Sequence, residues 1–546
     1  MYPSISKLFD DAIAEHRNRT ALRLPIPKER KRGRGIRLIL NEVTYERLGE
    51  MVGRLATALV ELGVGKGDRV ALIAKPRSAW ATTFYAILRC GATVVPLDPE
   101  LQAGEIERIL SEAEVKGAVA SGSKIDDLLA IKGGALPDMF VITMDRVKDE
   151  RALFLDALLL GKAELPRVEV DSNDLAILMY TSGTTGNAKG AMLTHANIAS
   201  NAMAAAKVVS LTPEDNFLSI VPWNHIYGLT ITLVTPLMTG GTTTYTPVDR
   251  NLAAVMKMAK PTIILGVPKL YNVLYGRVRE SIEKSGAKRA IHRSSATLMG
   301  KLVKKKLFGR QFRFFTSGGA PLNPEAADGF RKMGIGIMEG YGLTETSPLL
   351  TMCEAFAEEP GMVAIEDVEI RIDHPDADGV GEVLSRGPNT MAGYYKNQAA
   401  TDEVIDNDGW FHTGDLGTYK NGRLLISGRA KNVIVLETGK NVYPEEIEWE
   451  LIGIPEIEEI MVHEGERQGA PAVCAQIYPM WDLLKEQGIE TPSAAIEFLW
   501  DAVKERCENL AQFKRIRFKE ALTLVDEPFQ KSAKLDIKRH LHTDAE

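Results

Sequence analysis

Short apolar runs alternate with amphipathic helical stripes along this chain, and that alternation restricts the fold more than any other feature. From Thr44, the positions Leu48, Val52, Leu55, Leu59 and Leu62 fall on one helical stripe, and Gly63 supplies the left-handed stop that ends a helix. A strand-like run at 69–74 follows. Next come a helical pattern up to Cys90 ended by Gly91, the run TVVPL at 93–97, a helix around 105–114 and the apolar GAVA at 117–120. The rhythm returns at 174–180 (DLAILMY), 217–222 (FLSIVP), 262–267 (TIILGV) and 312–319 (FRFFTSGG). It predicts an α/β fold of parallel β-α-β units with helices on both sheet faces. Ligands in such sheets sit beyond the carboxyl ends of the strands, so loops there are the first candidates for a site.

The length of 546 residues suggests three to four compact units at about 150 residues each. A hydrophobic fraction of 45% and a charged fraction of 25% exclude disorder, fibre and disulfide-dense miniprotein. A net charge of -7 gives no footprint for DNA or RNA, so any polyanion must be held locally. Cys90, Cys353, Cys474 and Cys507 show no metal-type spacing and read as reduced thiols. The N-terminus has acidic residues where a secretory signal is basic and then apolar, and no run is long enough to span a membrane. The expected location is cytoplasmic, with peripheral contact at the inner membrane face left open. Two basic clusters, 28–37 and 301–313, read as a solvated hairpin tip and a solvated helix face, or as attraction to anionic headgroups or a phosphorylated cofactor. From about Gly422 the texture shifts to short β-like runs with glycine turns, which predicts a compact α+β unit after a boundary at 428–431.

Four motifs carry chemistry. Tyr180-Thr-Ser-Gly-Thr-Thr-Gly-Asn-Ala-Lys-Gly190 follows an apolar strand and is expected inside a strand-loop-helix unit. Backbone N–H groups around Gly183 and Gly186, hydroxyls of Thr181, Ser182, Thr184 and Thr185, and the charge of Lys189 are what a polyphosphate requires. The spacing is not that of a Walker A loop. The second motif is Gly340-Tyr341-Gly342-Leu-Thr344-Glu345-Thr346, with Ser317-Gly318-Gly319-Ala320-Pro321 upstream; a hard carboxylate plus substrate phosphates suits Mg2+. The third is Gly409-Trp-Phe-His-Thr-Gly-Asp415 with Ser427-Gly-Arg429. The fourth lies in the C-terminal unit: Lys431, the stretch LETGKNVYPEEIE with Gly439, Lys440 and Glu446, and Pro528-Phe-Gln-Lys-Ser-Ala-Lys534.

In this order and over nearly the whole chain, these motifs resemble those of the AMP-forming acyl-CoA synthetases of the adenylate-forming superfamily, and most of all bacterial long-chain fatty-acid ligases. The resemblance implies a large N-terminal domain, 1–430, of parallel and mixed sheets with a β-barrel-like subdomain. A small mobile α+β cap, 431–546, would turn about Lys431. It implies that the Thr181–Lys189 loop holds ATP phosphates and that Gly318, Gly319 and Ala320 line the base and acyl pocket. Tyr341, between Gly340 and Gly342, would stack near adenine. Thr344 would contact the α-phosphate, and Glu345, with Thr184, would ligate Mg2+. Asp415 and Arg429 would anchor the ribose. Gly439 and Lys440 would pass coenzyme A, Lys534 would hold the reacting oxygens, and His225 would sit beside acyl group and nucleotide. Phe529, Gln530 and Ala533 depart from the family's usual Lys, Thr and Gly, which leaves Lys531 as a rival to Lys534. Ala188 stands where many relatives have proline.

The implied reaction joins a fatty carboxylate to ATP with release of pyrophosphate, then passes the acyl group to coenzyme A with release of AMP. Both nucleophiles come from substrates, so no Ser-His-Asp set is needed. Aryl or other carboxylates remain alternatives, as do a ligase that loads a carrier protein and a nucleotide-binding sensor. A homodimer stays open, and no nucleic-acid partner is expected.

Overall fold

In a computed structural model of the chain, the residues described are 2–29, 36–163, 168–181, 188–249, 251–320, 322–357, 359–437, 440–467, 470–531 and 537–542. The fold is α/β, with a large N-terminal sheet domain and a small C-terminal domain.

An eight-stranded sheet runs in the order Gly393–Tyr394, Lys189–Thr194, Leu175–Thr181, Thr93–Leu97, Arg69–Ile73, Gly117–Ala120, Phe140–Thr143 and Leu153–Phe154. From Leu175–Thr181 outward to Leu153–Phe154 every pair is parallel. The predicted helix forms at Tyr45–Glu61, where the Thr44 hydroxyl accepts the N–H of Arg47 at 3.2 Å and Gly63 takes φ +85°. Its apolar stripe packs into one core with Trp80, Phe84 and Trp223.

A second sheet of thirteen strands has two arms. Its parallel arm contains Asn216–Ser219, Ile263–Gly266, Phe314–Ser317 and Gly336–Gly342. Each strand is buried at its start, as a strand covered on both faces should be. Beyond Gly336–Gly342 the sheet turns antiparallel and continues through Leu349–Met352, Met362–Ala364, Arg423–Arg429, Phe411–Lys420, Gly381–Arg386 and Glu369–Asp373.

The sequence expectation needs one correction. The glycine-rich loop does not lead from strand to helix; it joins two antiparallel strands, Leu175–Thr181 and Lys189–Thr194, with Thr181 paired to Lys189. The run KGAMLT forms a strand in which Ala191 and Leu193 are buried and Met192 and Thr194 half-buried, and the helix His195–Val208 starts only after it. Thr194 and Asn197 close a capping box there, with hydrogen bonds of 3.1 and 2.8 Å.

The C-terminal domain carries its own three-stranded sheet, Ile457–Arg467, Ala470–Pro479 and Leu522–Leu524, covered by helices Pro444–Leu451 and Pro492–Cys507. Ile447, Leu451, Val462, Ile477, Leu499 and Val503 form its core. No described helix is long and apolar enough to cross a membrane.

Candidate functional site

Two buried carboxylates organise the site. Asp415 sits on strand Phe411–Lys420, directly across the ladder from Arg429 on Arg423–Arg429. That register brings Arg429 Nε to 2.8 Å from Asp415 Oδ1. From the neighbouring arm, the Tyr341 hydroxyl donates to Asp415 Oδ2 at 2.7 Å. Burial, reinforced by the charge of Asp415, holds the Tyr341 phenol well above its ordinary range, so it remains a donor. Tyr341, Asp415 and Arg429, separate in sequence, therefore form one hydrogen-bonded unit.

Glu345 lies on the short helical turn Thr344–Thr346 and is 9% exposed. The Tyr394 hydroxyl donates to its Oε1 at 2.9 Å. Burial and then the Glu345 charge push the Tyr394 phenol well above its usual range. The ring of the same tyrosine carries Lys189 Nζ 5.0 Å from its centroid, a cation–π contact. Among the described residues Glu345 makes no ion pair, in contrast to Asp415. A buried carboxylate with no ion pair among the described residues, linked through Tyr394 to Lys189, is a donor suited to Mg2+ completed by substrate phosphates. No cluster of three or more metal-type ligands occurs among the described residues.

The sequence pattern passed over Tyr394, in the run Gly-Tyr-Tyr-Lys-Asn at 393–397. It also passed over two buried asparagines that pin the turn bearing Thr344 and Glu345. Asn201 Nδ2 donates to the carbonyls of Thr346 and Leu349 at 3.1 and 2.8 Å, and Asn389 Nδ2 donates to the same two at 3.0 and 2.8 Å. A fully buried Asn in an alanine-rich helix was the available signal for Asn201. Gly342 is required by close approach, because a Cβ there would stand 1.8 Å from the Pro348 carbonyl oxygen.

The other predicted positions distribute as follows. Thr181 and Lys189 face each other at the base of the loop, with Thr181 Oγ1 3.4 Å from the Lys189 carbonyl. Ser182, Gly183, Thr184, Thr185 and Gly186 lie outside the described residues, as do Gly439 and Lys534. Gly318 is buried against the ring of Tyr227, whereas Gly319 and Ala320 are exposed. Thr344 is buried, and Gly340 lies on the strand that carries Tyr341. His225 precedes the short helix Ile226–Gly228, which passes into a buried π-helical turn, Leu229–Val234. Lys431 is exposed in the turn Ala430–Asn432. Lys440 lies 4.5 Å from the Phe513 ring centroid, and Glu446 pairs with Lys514. Lys531, the rival lysine, is tied within the C-terminal domain. Its ammonium pairs with the buried Glu459, whose other oxygen accepts the Phe529 N–H at 3.0 Å.

No described cysteine is poised as a thiolate: burial pushes Cys90 up to about 12 and Cys353 up to about 11.

Comparison with known proteins agrees with this arrangement. Residues 9–395 match the model of the AMP-binding enzymes, and residues 431–545 match the C-terminal domain of AMP-binding enzymes. A feruloyl-CoA synthase of Amycolatopsis is 30% identical over 428 residues, covering 76% of this chain and 79% of that protein. A long-chain-fatty-acid–CoA ligase of Mycobacterium bovis is 30% identical over 463 residues, covering 78% of this chain and 75% of that one. Among solved structures, ATP-bound MatB from Rhodopseudomonas palustris superposes with a TM-score of 0.76 at 25% identity, covering 99% and 98% of the two chains. With two tyrosine-capped carboxylates, a lysine beside one of them and a family match over most of its length, this chain belongs to the AMP-binding enzymes of the adenylate-forming superfamily and is an ATP-dependent acid–thiol ligase.

Proposed function

We propose that the chain activates a medium- to long-chain fatty acid, first as the acyl-adenylate and then as the coenzyme A thioester. The observation that carries this reading is the match over three quarters of their length to ligases named for long-chain fatty acids, from Mycobacterium to Arabidopsis. A second reading, an aryl acid substrate, is favoured by the feruloyl-CoA synthase at equal identity.

A carboxylate is a poor acyl donor because it would have to expel oxide. In the proposed reaction its oxygen attacks the α-phosphorus of ATP, the bond to the bridging oxygen breaks, and pyrophosphate leaves. The coenzyme A thiolate then attacks the acyl carbon, and AMP leaves with the electron pair of the mixed anhydride. Catalysis of both steps is mainly positioning and charge stabilisation. Asp415, oriented by Arg429 and Tyr341, would accept both ribose hydroxyls. Lys189 and the hydroxyls from Thr181 to Thr185 would surround the phosphates, and Thr344 would contact the α-phosphate. Glu345 would hold Mg2+, which supplies charge neutralisation at the departing pyrophosphate. Gly318, Gly319, Ala320 and His225 would border the acyl group. Gly439 and Lys440 would guide coenzyme A after the domain 431–546 turns about Lys431.

Lys534 would hold the reacting oxygens during adenylation; the pairing of Lys531 with Glu459 supports this choice by giving the rival a role inside its own domain. Lys534→Ala is expected to cripple pyrophosphate exchange while sparing thioester formation from supplied acyl-AMP; equal loss in both steps overturns the assignment. Pyrophosphate exchange measured over acids of graded chain length and ring content, with and without coenzyme A, tests the substrate. Exchange confined to cinnamate-type acids would replace the fatty-acid reading with the aryl one.

A further inference from the structure

From Lys284 to Pro324 the chain contains no Asp or Glu, although the whole protein carries a net charge of -7. This stretch builds two helices, Gly286–Ser294 and Ala296–Leu307, that pack on each other, the first also on Pro268–Glu283 and the second on Leu252–Ala259 and Pro324–Lys332. The first has no fully buried residue, and the second buries only Met299 and Gly300. Gly300 sets the inner face: a Cβ there would stand 1.7 Å from the Met333 carbonyl oxygen, so the helix lies directly on that backbone.

The opposite face of Ala296–Leu307 presents Leu298, Lys301, Leu302, Lys305 and Lys306, all exposed. Their spacing of one, three and four residues places them on a single stripe. Leu298 is 49% and Leu302 46% exposed, unusual for leucines on a helix that has a core to face. Arg289, Arg293, Lys301, Lys305, Lys306 and Arg310 form no ion pair with any described residue. The carboxylates on the flanking helices are already engaged: Glu280 with Lys284, Glu283 and Glu325 with Arg279, and Asp328 with Lys332. The positive field is therefore not cancelled from the side.

We propose that this face docks the enzyme onto an anionic lipid surface, with the cations on headgroups and Leu298 and Leu302 entering the headgroup–acyl boundary. An acid-free basic surface alone would suit any polyanion; the two leucines between the lysines favour a lipid, because an aqueous polyanion gives them nothing apolar to enter. The proposal does not depend on which acid the enzyme activates.

The test is cosedimentation of the full chain with phosphatidylcholine vesicles, with and without phosphatidylglycerol, across a salt series. The wild type is expected to bind only the vesicles containing phosphatidylglycerol and to be released by salt. The triple variant Lys301→Glu, Lys305→Glu, Lys306→Glu should lower partitioning by about tenfold or more. Leu298→Ser with Leu302→Ser should weaken binding by a comparable factor without removing its salt dependence. Thermal unfolding and pyrophosphate exchange, both expected at wild-type levels, show that these surface variants are folded. Should a triple variant unfold, the single change Lys305→Gln serves in its place, read as a smaller loss of the same sign. Three results overturn the proposal: binding indifferent to phosphatidylglycerol, binding unchanged in both variants, or retention on heparin without vesicle binding, which would point to a non-lipid polyanion.

Discussion

Asp415 and Glu345 are both buried, and both accept a hydrogen bond from a tyrosine hydroxyl, yet they are neutralised in different ways. Asp415 has the guanidinium of Arg429 at 2.8 Å and spends one lone pair on Tyr341. Glu345 has Tyr394 at 2.9 Å and no ion pair among the described residues. Burying a carboxylate is costly unless its charge is met, so a carboxylate at 9% exposure with no described cation beside it would suit one that arrives with the substrate, as proposed. The carboxylate with a resident cation would suit instead neutral donors such as the sugar hydroxyls proposed for it. In the proposed reading the same side-chain type would serve a metal in one place and a ribose in the other, and the fold would make the distinction through what it pairs with each.

The largest effect should come from Glu345→Gln, which removes the charge that the metal requires while keeping the shape. We expect pyrophosphate exchange to fall by about 10³-fold, with higher Mg2+ giving little recovery. Full activity in this variant would end the proposed division of roles. Asp415→Asn should come next, at about 10²-fold in kcat/KM for ATP, carried mainly by KM. If the loss appears in the Mg2+ requirement instead, the two roles are assigned the wrong way round. Arg429→Gln should cost about tenfold on the same parameter, since its side chain is 42% exposed and water partly replaces it. Smallest and most discriminating is the pair Tyr394→Phe and Tyr341→Phe, each worth about 1 kcal/mol, or about fivefold. The first should shift the Mg2+ titration and leave the KM for ATP nearly unchanged; the second should do the reverse. Identical effects would reduce both tyrosines to packing.

Legibility in the sequence followed the range of the interaction. Strands such as Thr93–Leu97 and Gly117–Ala120, and the helix Tyr45–Glu61, form where their local patterns place them, because periodicity and glycine stops act within a few residues. The hairpin Leu175–Thr181 with Lys189–Thr194 escaped the β-α-β expectation, since a short apolar run beside a helix cannot show which neighbour it will pair with. Tyr394, Asn201 and Asn389 escaped for a similar reason. Each acts on a turn far along the chain, and tyrosine and asparagine have many local uses that look the same. The tie between Lys531 and Glu459 likewise joins residues 72 apart in sequence, so spacing near the end of the chain could not reveal it.

The sequence by itself determined the α/β class, the glycine-rich and acidic motifs in their order, and the chemistry of phosphate and carboxylate activation that they resemble. These are properties of local pattern and residue type. Only the tertiary structure decided that Tyr341, Asp415 and Arg429 form one unit, that Tyr394 joins Glu345 to Lys189, and that among the described residues one buried carboxylate pairs with a cation while the other does not. Charge compensation depends on distance in space, and that distance is set by strand register and packing between segments the sequence keeps apart.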